Sequence, residues 1–114
     1  MPLSLTIVIR EDPRKTHRAV EALRIALGLS TGPNPVTVVL LNDAPLVLTD
    51  DTDDLIDAEL LEKHMPVLKE LGIPFVVPQS THSRFRLNAE FEVREASLDE
   101  IYGLITQSDR VLAF

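Results

Sequence analysis

Hydrophobic and polar positions alternate along the chain in two distinct rhythms. Leu5-Thr6-Ile7-Val8-Ile9 is a short β-branched run closed by a charged turn, the pattern of a strand covered on both faces in a parallel sheet. It is read as the central first strand. From Thr16 to Leu29 the apolar residues Ala19, Val20, Leu23, Ala26 and Leu27 recur at three- and four-residue steps, predicting a helix that Gly28, Gly32, Pro33 and Pro35 end. Val36 to Leu41 then repeats the buried-strand composition before a turn at Asn42-Asp43-Ala44-Pro45. A β-α-β unit is complete.

The stretch from Thr49 to Gly72 opens with Asp50, Asp51, Asp53 and Asp54, which suit a helix N-terminus, where free N–H groups and the dipole favour anions. Leu61, Met65, Leu68 and Leu71 form its apolar stripe. Pro66 falls inside that stripe and predicts either a kink near residues 62–66 or a restart with Pro66 in the first turn. Ile73 to Val77 reads as the third strand, closed by Pro78. Thr81 to Glu90 has little periodicity and reads as a loop or short helical turn. Phe91 to Arg94 alternates in polarity, which predicts a short strand near an edge or beside another subunit. Ser97-Leu98-Asp99-Glu100 is a capping box opening a helix with Leu98, Ile101, Leu104 and Ile105 on its apolar face. Arg110 to Phe114 is the last strand.

This alternation predicts one domain over residues 1–114: a three-layer α/β/α sandwich around a mostly parallel five-stranded sheet, flavodoxin-like in appearance. In such folds ligands sit beyond the carboxyl ends of the strands. That rule selects Arg10, Glu11 and Asp12 after the first strand, Asn42 and Asp43 after the second, and Pro78, Gln79 and Ser80 after the third.

Composition sharpens the picture. With 114 residues, 45% of them hydrophobic, the chain can bury roughly two-thirds of its unfolded surface around one core, which excludes intrinsic disorder. The formal charge of −7 argues against binding nucleic acid or anionic lipid. No apolar run reaches the roughly 18 residues of a membrane helix, and Leu3 to Ile9 is too short for a signal peptide, so a cytoplasmic location is expected. Cysteine is absent, which removes disulfides, thiolate metal sites, thiol nucleophiles and persulfides from this chain's own chemistry.

Among candidate chemistries, Glu11-Asp12 is similar to the acidic magnesium pair of phosphoryl-accepting domains. The acceptor aspartate and distal lysine such domains need are missing, and a solvated acidic turn is the plainer reading. Neither a P-loop nor G-x-G-x-x-G is present. His17, His64 and His82 lack ligand spacing, although folding could join His17 to His82; His64 reads as a surface or interface residue, and no metal or cofactor is expected. The aspartates from Asp50 to Asp57 lack the glycine turn and terminal glutamate of an EF-hand loop. They fit capping and solubility, with a weak divalent site as the alternative. Arg84 and Arg86, flanking Phe85, either grip an anion or a neighbouring subunit's carboxylates or are ordinary solvated charges. Ser80 and His82 come without a G-x-S-x-G elbow, so a hydrolytic triad has no support.

The order of motifs resembles the DsrE/DsrF-like family, small α/β proteins that include the sulfur-relay subunits TusB, TusC and TusD. The resemblance is carried by Thr6 to Arg10 leading into Thr16 to Leu23, by Val36 to Asn42 followed by Asp43 to Val47, by Leu68 to Val77, and by the ending Ser108 to Phe114. It implies the α/β fold, and it implies assembly: homotrimers, hexamers, or complexes with related subunits. In sulfur-carrying members a cysteine stands at or just after the end of the third main strand; here that place falls at about Pro78, which has no nucleophilic atom. The resemblance with the cysteine position empty therefore implies a non-catalytic oligomeric or companion subunit, unable to carry a persulfide itself; the charge and the lack of a long apolar run give no expectation of a nucleic-acid or membrane partner. The alternative is a small-molecule or anion-binding protein or enzyme using the polar rim of Arg10, Asp12, His17, Asn42, Asp43, Gln79, Ser80 and His82.

Overall fold

A computed structural model describes residues 2–114 of the chain. Its strands are Leu5–Ile9 (β1), Val36–Leu40 (β2), Phe75–Pro78 (β3), Val93–Ala96 (β4) and Arg110–Ala113 (β5). They form one sheet in the order β4-β3-β2-β1-β5, and every pairing is parallel. The sheet is thus wholly rather than mostly parallel, and its middle strand is β2, with β1 one place off centre. Register runs from Leu5 opposite Val36 to Ile9 opposite Leu40, so β1 and β2 end level.

The helices are Arg18–Ser30 (α1), Ala58–Glu70 (α2), Thr81–Arg84 (α3) and Leu98–Gln107 (α4), with a 3-10 helix over Ala44–Leu48. Among the described residues no helix is long and apolar enough to cross a membrane. Side chains alternate across the strands, and the alternation sorts the core into two clusters. Ile7, Ile9, Val38, Leu40, Phe75 and Val77 face α1 and α2, which meet them with Val20, Leu23, Leu61 and Leu68. Val8, Val39 and Val76 face the other way, where Ala96 and Ile101 cover them. Full burial of each such aliphatic or aromatic side chain contributes about 1.5–3 kcal/mol.

Several boundaries differ from the sequence expectation. The aspartates 50–54 precede α2 rather than opening it: the helix starts at Ala58, after Asp57 in a left-handed conformation with φ 60° and no side-chain cap. Pro66 neither stops nor restarts α2, which runs unbroken from Ala58 to Glu70. Its missing N–H removes one helical hydrogen bond, and burial of Leu61, Met65 and Leu68 holds the helix together. The end of α2 is a Schellman turn, with Gly72 at φ 66° donating to the Lys69 carbonyl and Ile73 donating to that of Leu68. β4 starts at Val93, two residues later than expected, and does occupy an edge. The capping box is present: Ser97 Oγ accepts from Glu100 N at 3.1 Å and Glu100 Oε1 from Ser97 N at 3.1 Å.

Candidate functional site

Because all five strands run the same way, their carboxyl ends share one edge of the sheet, and the loops leaving β1, β2 and β3 meet there. Asn42, at φ 56°, turns the chain after β2 and donates its side-chain amide to the Arg10 carbonyl at 3.3 Å. Arg10 in turn donates its main-chain N–H to Phe114 O at 2.7 Å. Arg10 therefore serves this edge through its backbone, with its side chain exposed.

An ion-pair ladder links the three loops. Arg14 binds Asp12 through Nε at 3.1 Å and Nη2 at 2.9 Å, and the same Nη2 reaches Asp43 Oδ2 at 3.4 Å. Arg84, from α3, donates to the other Asp43 oxygen at 3.2 Å. The hydrogen bond from Arg14 holds the Asp12 carboxyl below the ordinary range, and the same contact raises the Arg14 guanidinium. Two guanidiniums and two carboxylates compensate one another, so this part of the rim ties loops together instead of offering a free charge. The arginine contacts also occupy both Asp12 oxygens, which a magnesium-holding pair would need open.

A second cluster surrounds Glu95, on the edge strand β4. Ser80 stands at φ 74° just past β3, and its N–H donates to Glu95 Oε1 at 3.3 Å. His82 N donates to Glu95 Oε2 at 2.8 Å, and His82 Nδ1 lies 2.7 Å from the same oxygen. The backbone donor of His82, then its side chain, keep the Glu95 carboxyl below the ordinary range. An ionised carboxylate only accepts, so Nδ1 is assigned the proton; in the neutral ring Nε2 then carries the lone pair. Such an imidazole can accept a hydrogen bond or a proton from a bound molecule.

Of the residues expected at the rim, Asp12 and Asp43 join in the ladder, Ser80 and His82 join around Glu95, and Asn42 bonds the Arg10 backbone. Gln79 contributes its N–H to Ala96 O at 3.0 Å, and Pro78 ends β3 opposite Ala96. His17 stands at the N-cap of α1, with no side-chain capping bond. Folding does not pair it with His82, whose partner is Glu95. His64 lies half-buried on α2, and its Nε2 has no hydrogen-bond partner among the described residues. Arg84 packs over the Phe85 ring at 4.8 Å while holding Asp43. Asp50 accepts from Asn88 at 2.8 Å. Among the described residues no three His, Asp or Glu side chains gather as metal ligands. Sequence reasoning missed Glu95 and Arg14. Glu95 fell just past the strand expected over Phe91 to Arg94, where nothing local tied it to a histidine thirteen positions earlier.

The model of the DsrE/DsrF-like family matches residues 4–114. A solved structure similar to this one is that of the ychN protein from E. coli, with a TM-score of 0.78 and 19% sequence identity over 100% of both chains. That likeness concerns the fold. No curated protein matches the chain in sequence.

Proposed function

The chain belongs to the DsrE/DsrF-like family, and from that premise we propose that it is a non-catalytic member, an oligomeric or companion subunit associated with intracellular sulfur metabolism that does not carry a persulfide itself. The second half of this reading is supported by the absence of cysteine and by Pro78 at the end of β3. Persulfide transfer needs a thiolate, and a proline ring has no atom able to attack or hold sulfur.

The observation that carries the assembly role is an uncovered apolar surface. β5 is an edge strand and every residue in it is exposed, with Val111 and Leu112 at 40% and 42%. On α4, Leu98 and Tyr102 stand 72% and 71% exposed. An open parallel edge and, on α4, exposed aromatic and aliphatic side chains favour association over a solitary existence. The sequence-based expectation put the contact at Phe91 to Arg94; there Phe91 is half-buried against Phe75, and only Glu92 and Arg94 are exposed. The deciding experiment is native mass spectrometry of protein purified gently from its own cells. A homo-oligomer or a complex with a cysteine-bearing relative is expected, and Tyr102→Glu with Val111→Lys should dissociate it. A lone monomer would defeat the proposal.

One observation favours the alternative, a small-molecule or anion-binding rim: Arg86, exposed and without an ionic partner among the described residues, lines a surface pocket with His82 and Arg84. Saturable stabilisation by phosphate or sulfate, lost in Arg86→Ala, would support it.

A further inference from the structure

Away from the strand ends, a groove of about 320 Å³ lies between α2, the chain following the 3-10 helix, and residues 88–91. Its floor is apolar. Val47, Leu61 and Met65, all buried, line it together with Pro66 and the half-buried Phe91. Its size falls at the lower end of small-molecule pockets, enough for one ring and a short chain.

The walls are fixed by contacts across the groove. Thr49 bridges to Leu87, Asn88 N donates to Leu48 O at 2.8 Å, and Asn88 Nδ2 donates to Asp50 Oδ1 at 2.8 Å. Phe91 is held edge-to-face on Phe75, with ring centroids 6.0 Å apart. The groove is therefore formed before anything enters it, which lowers the cost of binding.

The rim is net negative. Asp50, Glu62 and Glu90 stand on it against a single cation, Lys69, whose ammonium is already 2.8 Å from Glu90. Asp50 accepts from a neutral amide, and Glu62 has no ionic partner among the described residues. Apolar walls under uncompensated carboxylates focus a negative potential, and an anionic ligand meets no free base there. We propose that this groove binds a small organic cation, an ammonium group carried on an apolar body, with the body against Met65 and Phe91 and the charge held by Asp50 and Glu62. The site is separate from both the strand-end rim and the β5 edge, and it does not depend on the assembly role.

Met65 is one of only two methionines, so ε-13C-methionine labelling places a resolved NMR probe on the groove floor. The intact protein would be titrated with phenethylamine, 2-phenylethanol and phenylacetate. Phenethylamine should move the Met65 methyl signal saturably, and 2-phenylethanol should bind about fivefold more weakly, the size of a partly exposed charge interaction. Phenylacetate should leave the signal in place. Asp50→Asn with Glu62→Gln, both at exposed positions, should bring the amine down to the affinity of the alcohol while the rest of the spectrum stays native. An unmoved Met65 signal with phenethylamine, equal binding of phenylacetate, or an unchanged amine affinity in the double variant would each overturn the proposal.

Discussion

On one face of the sheet, Ile7, Ile9, Val38, Leu40, Phe75 and Val77 meet two helices, the 3-10 segment and the half-buried Leu87, Phe91 and Val93. On the other face, Val8, Val39 and Val76 meet α4 alone, through Ile101 and the half-buried Leu104 and Ile105. The same strands supply both faces by alternation, so the inequality comes from what the connections bring over them. The long β1–β2 and β2–β3 crossovers each lay a helix on the first face. On the second, β3 connects to β4 through the short α3, leaving α4 as the only long cover. The thin face is also where polar groups enter the core: Thr6, 2% exposed, bonds Ser108 Oγ. Ser108 itself donates to Leu104 O, so the proton between the two hydroxyls comes from Thr6. A sheet covered in this way separates the part that holds the fold together from the part available to a partner.

The largest expected effect tests that separation. Phe75→Ala or Leu23→Ala, on the thick face, should cost about 3–5 kcal/mol in urea unfolding, whereas Ile101→Ala should cost about 2 kcal/mol. Equal losses would erase the distinction. Next, Ser97→Ala removes the cap of the one helix covering the thin face, with a loss of about 1 kcal/mol expected. Thr6→Val should cost about as much, because Ser108 Oγ keeps its donor role but loses the hydrogen bond it accepts from Thr6. If neither variant changes the urea midpoint, α4 is held by something other than its cap and its polar anchor.

The smallest effect is in acid. Glu95 and Glu100 have carboxyls held below their ordinary 4.5, Glu95 by backbone and side-chain donors of His82 and Glu100 by those of Ser97. Groups depressed in the folded state contribute stability that is complete above about pH 4.5 and is lost as pH falls through their folded values. The urea midpoint should therefore decline below pH 4.5, and Glu95→Gln should flatten part of that decline. A midpoint independent of pH between 5 and 3 would show that these contacts do not survive in solution.

Local signals revealed much of this architecture, and their limits are equally local. β1 and β2 were legible because a strand buried on both faces is dominated by β-branched and aliphatic residues, and the Ser97–Glu100 box because capping is settled within four residues. The start of α2 was not: aspartates favour a helix N-terminus, yet they serve an acidic loop equally well, and the left-handed Asp57 that separates the two leaves no mark in composition. The 3-10 helix at Ala44–Leu48 is too short to show a period. β5 read as an ordinary last strand, since composition does not distinguish apolar residues covered by their own chain from those left open. At the rim, Asp12, Asp43 and His82 were found because topology alone sends residues after strands to one edge. Their partners Arg14 and Glu95 were not, since those pairings are set by three-dimensional register.

The pairing of β5 with β1 joins residues about as far apart as the chain allows: Asp109 accepts from Ser4 N at 2.8 Å across 105 positions. Contacts this distant close late, because the loop entropy must be lost before the bond rewards it. During synthesis β1 is among the first strands made, yet its outer edge stays unpaired until Arg110–Ala113 has emerged. In that interval an apolar parallel edge is open to any neighbouring chain. The nascent chain is therefore open to mispairing at this edge for as long as its last strand is missing.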